Sequence, residues 1–272
     1  MHREQPLVTF LHALRLHRGR SRGRLGRVEP AEGEKLHQIF QVSTLNAVME
    51  GVYDGVLSVG ELRRHGDFGL GTFNALDGEM VAVDGAFYQL RADGSATIVD
   101  DETMRTPFAV VQFFQPEWRE RVDGSLDIEQ LPDPLRRWAG SDNYFFAVRI
   151  DGRFERVVAR SVPRQSKPYP PLVEVTRHQT VFELADVAGT MVGFRFPDFV
   201  RGINMPGFHL HFLSDDRSRG GHVLEFVLSS GVITADHTAE FFLELPESTG
   251  FGEADLAKDQ SEAIAQAEGL TD

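Results

Sequence analysis

Asp-Gly pairs at 77–78, 84–85, 93–94 and 151–152 each stand between short runs of alternating, β-branched or aromatic residues. Asp-Gly supplies the left-handed backbone that tight hairpin turns demand, so each pair ties the runs beside it into antiparallel neighbours. This punctuation commits the chain to antiparallel sheet. Asp67–Asn74 and Glu79–Val83 are expected to form a hairpin around Asp77-Gly78, Ala86–Leu90 adds a third strand, and Arg91–Gly94 turns again. The result is a meander. Phe108–Phe114 reads as a further strand, and Phe145–Ile150 with Phe154–Ala159 as a hairpin around Asp151-Gly152. Thr190–Phe196, Phe208–Leu213, His222–Leu228, Val232–His237 and Phe241–Leu245 continue the pattern.

Helical spacing is confined to short stretches. Ile39, Val42, Leu45, Ala47, Val48 and Met49 suit an amphipathic helix, Ile128–Trp138 holds one broken by Pro132 and Pro134, and Ala254–Glu268 places Leu256, Ile264 and Ala267 at helical intervals. The expected fold class is therefore α+β with mainly antiparallel sheets. Pro163, Pro168, Pro170 and Pro171 interrupt regular structure and place a domain change between about 140 and 170. The expected division is a basic extension over 1–34, an N-terminal sheet domain over 35–155 and a C-terminal sheet domain over 156–272.

Charge and composition narrow the partner. Residues 1–27 hold seven Arg and a single acid, Glu4, so the acidic excess of the remainder is larger than the net −13 of the whole. A body that acidic repels nucleic acid and anionic membrane, and the apolar runs fall short of the ~20 residues that span a bilayer. A small-molecule partner is expected. In the first segment the charge follows the apolar run Leu7–Leu11 instead of preceding it, unlike a secretory signal, so that segment reads as a disordered extension and the location as cytoplasmic. The chain has no Cys, which removes thiolate nucleophiles, disulfides and sulfur-ligated metals. Any metal is held by nitrogen and oxygen.

One constellation fits such a metal. In Gly207-Phe208-His209-Leu210-His211-Phe212 the two imidazoles share a strand face, and the polar, glycine-ended stretch after them reads as a hairpin loop that returns the chain at His222. Pairing across that loop can gather three imidazoles on one face, a tridentate site that leaves positions open for substrate. A single His on a strand is more often a hydrogen-bonded structural residue, but three near one apolar hairpin need partners that a metal provides. In cupin sites a Glu follows His-x-His within a few residues; here Asp215 and Asp216 stand there instead. Three neutral ligands leave the metal its full charge, which favours Lewis-acid work on a chelating, oxygen-rich substrate. A cupin-like metal oxygenase or isomerase, and a metal-stabilised protein that merely holds a small hydroxy acid, remain open on these residues. By spacing alone Glu79, Thr72, Arg160, Arg164 and Glu268 read as ordinary strand or surface positions.

Four blocks go further. Phe40–Gly55; His65–Asn74 with Leu76-Asp77-Gly78-Glu79-Met80; Ser161-Val162-Pro163-Arg164-Gln165 with Lys167-Pro168-Tyr169; and Gly207–Phe212 with Gly220-Gly221-His222-Val223 closely resemble the α-acetolactate decarboxylase family. The likeness runs from about residue 36 to the end. It implies two sheets flanking a central cleft with few helices, a C-terminal tail that returns to the cleft, and a homodimer. It also implies loss of CO2 from 2-acetolactate to give acetoin, a step in acetoin and 2,3-butanediol formation.

The resemblance assigns roles residue by residue. His209, His211 and His222 are expected to bind zinc, Glu79 and Glu268 to be active-site carboxylates able to reach the metal, and Arg160 to be the active-site guanidinium. Thr72 and Arg160 are expected to contact substrate. Glu262 and Glu253 are alternatives for the tail carboxylate. Acetolactate carries a ketone β to its carboxylate, so the electrons released with CO2 need no thiamine, pyridoxal or nicotinamide cofactor. Zinc chelated by the hydroxyl and ketone oxygens would stabilise the enediolate, which Glu79 or Glu268 would protonate on one face.

Overall fold

A computed structural model describes residues 37–267. The basic segment 1–34 and Glu268 lie outside them. The first half contains β1 (Gln38–Val42), α1 (Leu45–Met49), β2 (Leu57–Ser58), α2 (Val59–Leu62), β3 (Phe68–Thr72), β4 (Glu79–Val83), β5 (Ala86–Leu90), β6 (Ala96–Ile98), β7 (Arg105–Thr106) and β8 (Ala109–Gln112). Then follow β9 (Trp118–Asp127), α3 (Pro132–Ala139), β10 (Phe145–Ser161), α4 (Leu172–Thr176), β11 (Thr180–Phe196), β12 (Gly207–Ser214), β13 (Gly220–Thr238), β14 (Glu240–Glu244), α5 (Thr249–Glu253) and α6 (Ser261–Ala267).

The Asp-Gly punctuation builds the first sheet, of order β14-β1-β8-β3-β4-β5-β6. Its pairings are antiparallel except that of β1 with β14, which is parallel. The second sheet has the order β10-β11-β12-β13-β9, and a further β10–β13 pairing closes β10 to β13 into a ring. The α+β class with mainly antiparallel sheets is what the structure shows. The sheets exchange strands across the chain: β14 comes from the far end into the first, and β9 from the first half into the second.

Three local expectations are corrected. The helix expected from Ile39 begins at Leu45, because residues 38–42 pair with β8 and β14 and Ser43 breaks the chain with φ 66°. Thr44 then caps the helix, accepting from Ala47 N. Buried on both faces, an apolar run satisfies either period, and long-range pairing decides. Asp151-Gly152 is not a turn. β10 runs straight through it in unbroken register with β11, and a Cβ on Gly152 would collide with the Ser230 carbonyl, so this glycine admits a neighbouring strand instead of reversing the chain. The same close approach, at Gly231, carries β13 continuously through Val232–His237. Finally, Pro132 and Pro134 open α3 instead of breaking it, since the first turn needs no donors from them. β9 escaped the sequence reading because its alternating charged residues face solvent.

The core sits in three layers. Leu70, Val81 and Val110 of the first sheet meet Val192, Phe194 and Leu213 of the second in the core between them. Behind the first sheet, Phe40, Met80, Phe87 and Val111 pack under Val59 and Leu62 of α2. Behind the second, Phe146, Phe154, Phe212 and Phe226 pack with Leu135 of α3. Each fully buried Phe contributes about 1.5–3 kcal/mol relative to exposure. Among the described residues no helix is long and apolar enough to cross a membrane.

Candidate metal centre

β12 and β13 pair His211 with His222, while β11 sets Phe194 beside His209 and Val192 beside His211. Residues paired across a ladder share a face, so the histidines stand on the face that carries Val192 and Phe194, toward the first sheet. Their ring centroids lie 4.9–5.3 Å apart, and one nitrogen of each falls within 4.8 Å of the others. All three are buried. The expected convergence is present.

The hairpin behind them is built for this register. Asp216 accepts from the Ser214 and Ser218 hydroxyls, bonds that hold its carboxyl below the usual carboxylate range, and Arg219 O receives Ser214 N. Asp216 therefore serves its own turn. On the return strand, a Cβ on Gly221 would stand 2.7 Å from Arg160 O, so only glycine lets β13 approach β10 this closely. That approach pairs His222 with Arg160.

The first sheet supplies the opposite wall. His211 Nδ1 lies 2.8 Å from Met80 O, which makes Nδ1 the donor and turns Nε2 toward the other imidazoles. A hydrogen bond from the far ring nitrogen to a carbonyl is the common way a metal-ligating imidazole is oriented. Glu79 Oε2 stands 3.7 Å from His211 Nε2, beyond hydrogen-bond reach but inside ion-pair range. Thr72 pairs with Glu79 across β3 and β4, and its hydroxyl donates to Gly78 O at 2.6 Å. The buried Arg160 donates from Nη1 to Gln179 Oε1 at 2.8 Å.

Among the described residues, the remaining named ones are exposed. Arg164 is on the surface, 3.4 Å from Asp77 Oδ2, and Glu253 and Glu262 are exposed at α5 and α6. A cavity of about 740 Å³ opens between the 198–207 loop and residues 256–265, and among the described residues none of the candidates lines it. Gln179 and the Met80 carbonyl were missed by sequence reasoning. A main-chain acceptor carries no signature, and a half-buried Gln next to Arg160 is visible only once β10 and β11 pair.

Three converging, buried imidazole nitrogens, one already oriented from behind, match the donor set of an open divalent-metal site. The residues present fit a metal ion.

Comparison with known proteins agrees with this geometry. The family model for alpha-acetolactate decarboxylase matches residues 39–258. An alpha-acetolactate decarboxylase of Methylococcus capsulatus is 47% identical over 259 residues, 95% of this chain and 97% of that protein, a longer stretch than lies beyond residue 34. One of Methanosarcina mazei is 47% identical over 85% of this chain and 80% of its own length. The crystal structure of alpha-acetolactate decarboxylase from Bacillus subtilis strain 168 superposes with a TM-score of 0.82 at 40% identity, covering 85% of this chain and 99% of that one. The chain belongs to the alpha-acetolactate decarboxylase family.

Proposed function

We propose that this chain is a carboxy-lyase that converts 2-acetolactate to acetoin and CO2, with zinc held by His209, His211 and His222. The observation that carries the reading is the convergence of three buried imidazoles opposite Glu79 in a chain of this family. When bound, the metal supplies Lewis acidity toward vicinal hydroxyl and ketone oxygens.

The chain's own groups do the rest. The bond from the carboxylate carbon to the hydroxyl-bearing carbon breaks, and its electron pair passes into the adjacent ketone. Arg160, held by Gln179 beside His222, orients the substrate through its remaining guanidinium donors. Thr72 lines the same wall and stiffens the turn before Glu79. A proton must then return to the carbon that lost CO2, and Glu79 or Glu268 delivers it from one side, so the acetoin is a single enantiomer. The buried, apolar surroundings of Val192 and Phe194 limit competing protonation by water. The enzyme works as a cytoplasmic homodimer.

The test is acetoin formation from racemic acetolactate under anaerobic conditions, before and after chelation and after zinc is restored. Activity lost on chelation and regained with zinc is expected. Oxygen consumption, or a zinc-loaded chain that makes no acetoin, would overturn the reading.

A further inference from the structure

Glu79 is delivered by a loop whose backbone is forced. Between β3 and β4, Ala75 and Leu76 hold φ of 64° and 54°, left-handed values that L side chains other than Asn and Asp rarely adopt. Gly78 follows at φ 76°, where a Cβ would collide with Leu90 O. Such a conformation persists only where its surroundings over-determine it, and it is most informative beside a functional group. The surroundings here do so. Ala75 N donates to Tyr53 O and Gln165 N to Ala75 O, both at 2.8 Å. Gly55 N donates to Asn74 Oδ1 at 2.7 Å. At the exit, Thr72 Oγ1 holds Gly78 O at 2.6 Å and Gln89 Nε2 holds Asp77 O at 2.7 Å.

Gln89 reaches this loop from the other side of the sheet. It pairs with Met80 on β4, so it shares the face that packs against Phe40 and Phe87, away from the histidines, and only 3% of it is exposed. Its amide nevertheless ends on the carbonyl two residues before Glu79. One residue after Glu79, Met80 O orients His211. The same short stretch therefore carries the carboxylate and sets the imidazole that faces it.

We infer that Gln89 is a positioning residue for the reaction: by holding Asp77 O it places the Glu79 carboxylate against the His211 side of the metal centre. The inference rests on the decarboxylase reading. Misplacement of a reacting group by about 1 Å can cost on the order of 100-fold in rate without any lost contact to substrate.

The test is Gln89→Met, which keeps the side chain's length and removes its donor. Expected is a fall in kcat of about 10- to 100-fold with KM changed by less than about threefold and one zinc per chain retained. In a Glu79→Gln background the same change should cost less than about twofold, because residues that act through one another are not additive. If Gln89→Met does not fold, Gln89→Leu enters the same cycle. Unchanged kcat in the single variant, or losses that multiply in the double variant, overturns the inference alone. A wild-type chain that binds zinc and makes no acetoin overturns it together with the functional reading.

Discussion

His209, His211 and His222 come from one hairpin of β12 and β13, whereas Glu79 stands on β4 of the other sheet and Arg160 on β10. The imidazoles are brought together by strand alternation and one turn. Arg160 is brought beside His222 by the pairing of β10 with β13, and Glu79 is brought opposite by packing of Val192, Phe194 and Leu213 against Leu70, Val81 and Val110. A local register can survive small shifts of the sheets, while the distance from Glu79 to His211 cannot. The hairpin thus gathers three imidazoles that could hold a metal ion, and the inter-sheet core sets where Glu79 stands against them.

The largest effect should come from the hairpin. His211→Ala removes one ligand and the bond to Met80 O together, so zinc content should drop and activity fall on the order of 1000-fold, equivalent to about 4 kcal/mol. Zinc should also stop raising the thermal midpoint. In the wild-type chain, zinc at about 100 times its Kd should add about 2.7 kcal/mol to stability. Metal analysis and melts with and without zinc check both points; full zinc occupancy in the variant would remove the hairpin as the metal site.

Glu79→Gln tests the other side of the comparison. The carboxylate faces the imidazoles but belongs to another sheet, so its loss should leave zinc bound while kcat drops about 10²–10⁴-fold, the usual share of a positioned acid or base. Equal losses of zinc and activity would make Glu79 a ligand first. Chirality of the residual acetoin gives a second readout, since unguided protonation yields a racemate.

The difference between these regions is also the difference between what could and could not be read from sequence. The His-x-His spacing and the Gly220-Gly221 return were legible because period-two alternation is local, and the structure pairs His211 with His222 as that reading requires. The hairpin around Asp77-Gly78 was legible for the same reason, with Thr72 opposite Glu79. Asp151-Gly152 misled because the same dipeptide serves a turn in one place and a close strand crossing in another, and only the Ser230 and Gly231 backbone reveals which. Glu79 and Arg160 had no local signature. Their roles depend on which strands meet, so only resemblance could single them out beforehand.

Gly221→Ala probes how tightly the hairpin is tied to its neighbours. The added Cβ would meet Arg160 O at 2.7 Å and Phe182 Cζ at 2.8 Å, so β13 must lift from β10 near His222. Overpacking of this kind costs about 1–3 kcal/mol. Zinc affinity should weaken along with the thermal midpoint. If zinc binds as tightly as before, the histidine hairpin is more independent of β10 than its pairing suggests.

The smallest effect concerns a second carboxylate that joins the sheets without serving the site. Asp236 on β13 is fully buried; its Oδ2 accepts from Gln112 Nε2 at 2.9 Å and Gln115 N at 2.7 Å, and His37 Nδ1 lies 2.7 Å from Oδ1. Burial raises its pKa, and the bonds from Gln115 and His37 only partly offset this. The folded chain therefore holds this proton more tightly than the unfolded chain. Its contribution to stability is fully present below the ordinary carboxylate pKa of about 3.9 and is lost as pH rises through the higher folded value. Asp236→Asn cannot titrate there, so its thermal midpoint, whatever the starting offset, should gain on the wild type as pH rises from about 4 toward neutrality. In the Asn variant the carbonyl oxygen can still accept from Gln112 Nε2 and Gln115 N, while the amide NH2 replaces the oxygen that faced His37 Nδ1, and that changed contact sets the offset at every pH. Acetoin formation at saturating zinc should change little, because Asp236 touches neither Glu79 nor the imidazoles. A parallel pH course for both proteins would show that Asp236 keeps the same proton affinity in both states, and a loss of kcat would mean that the contact between β8 and β13 tunes the catalytic carboxylate after all.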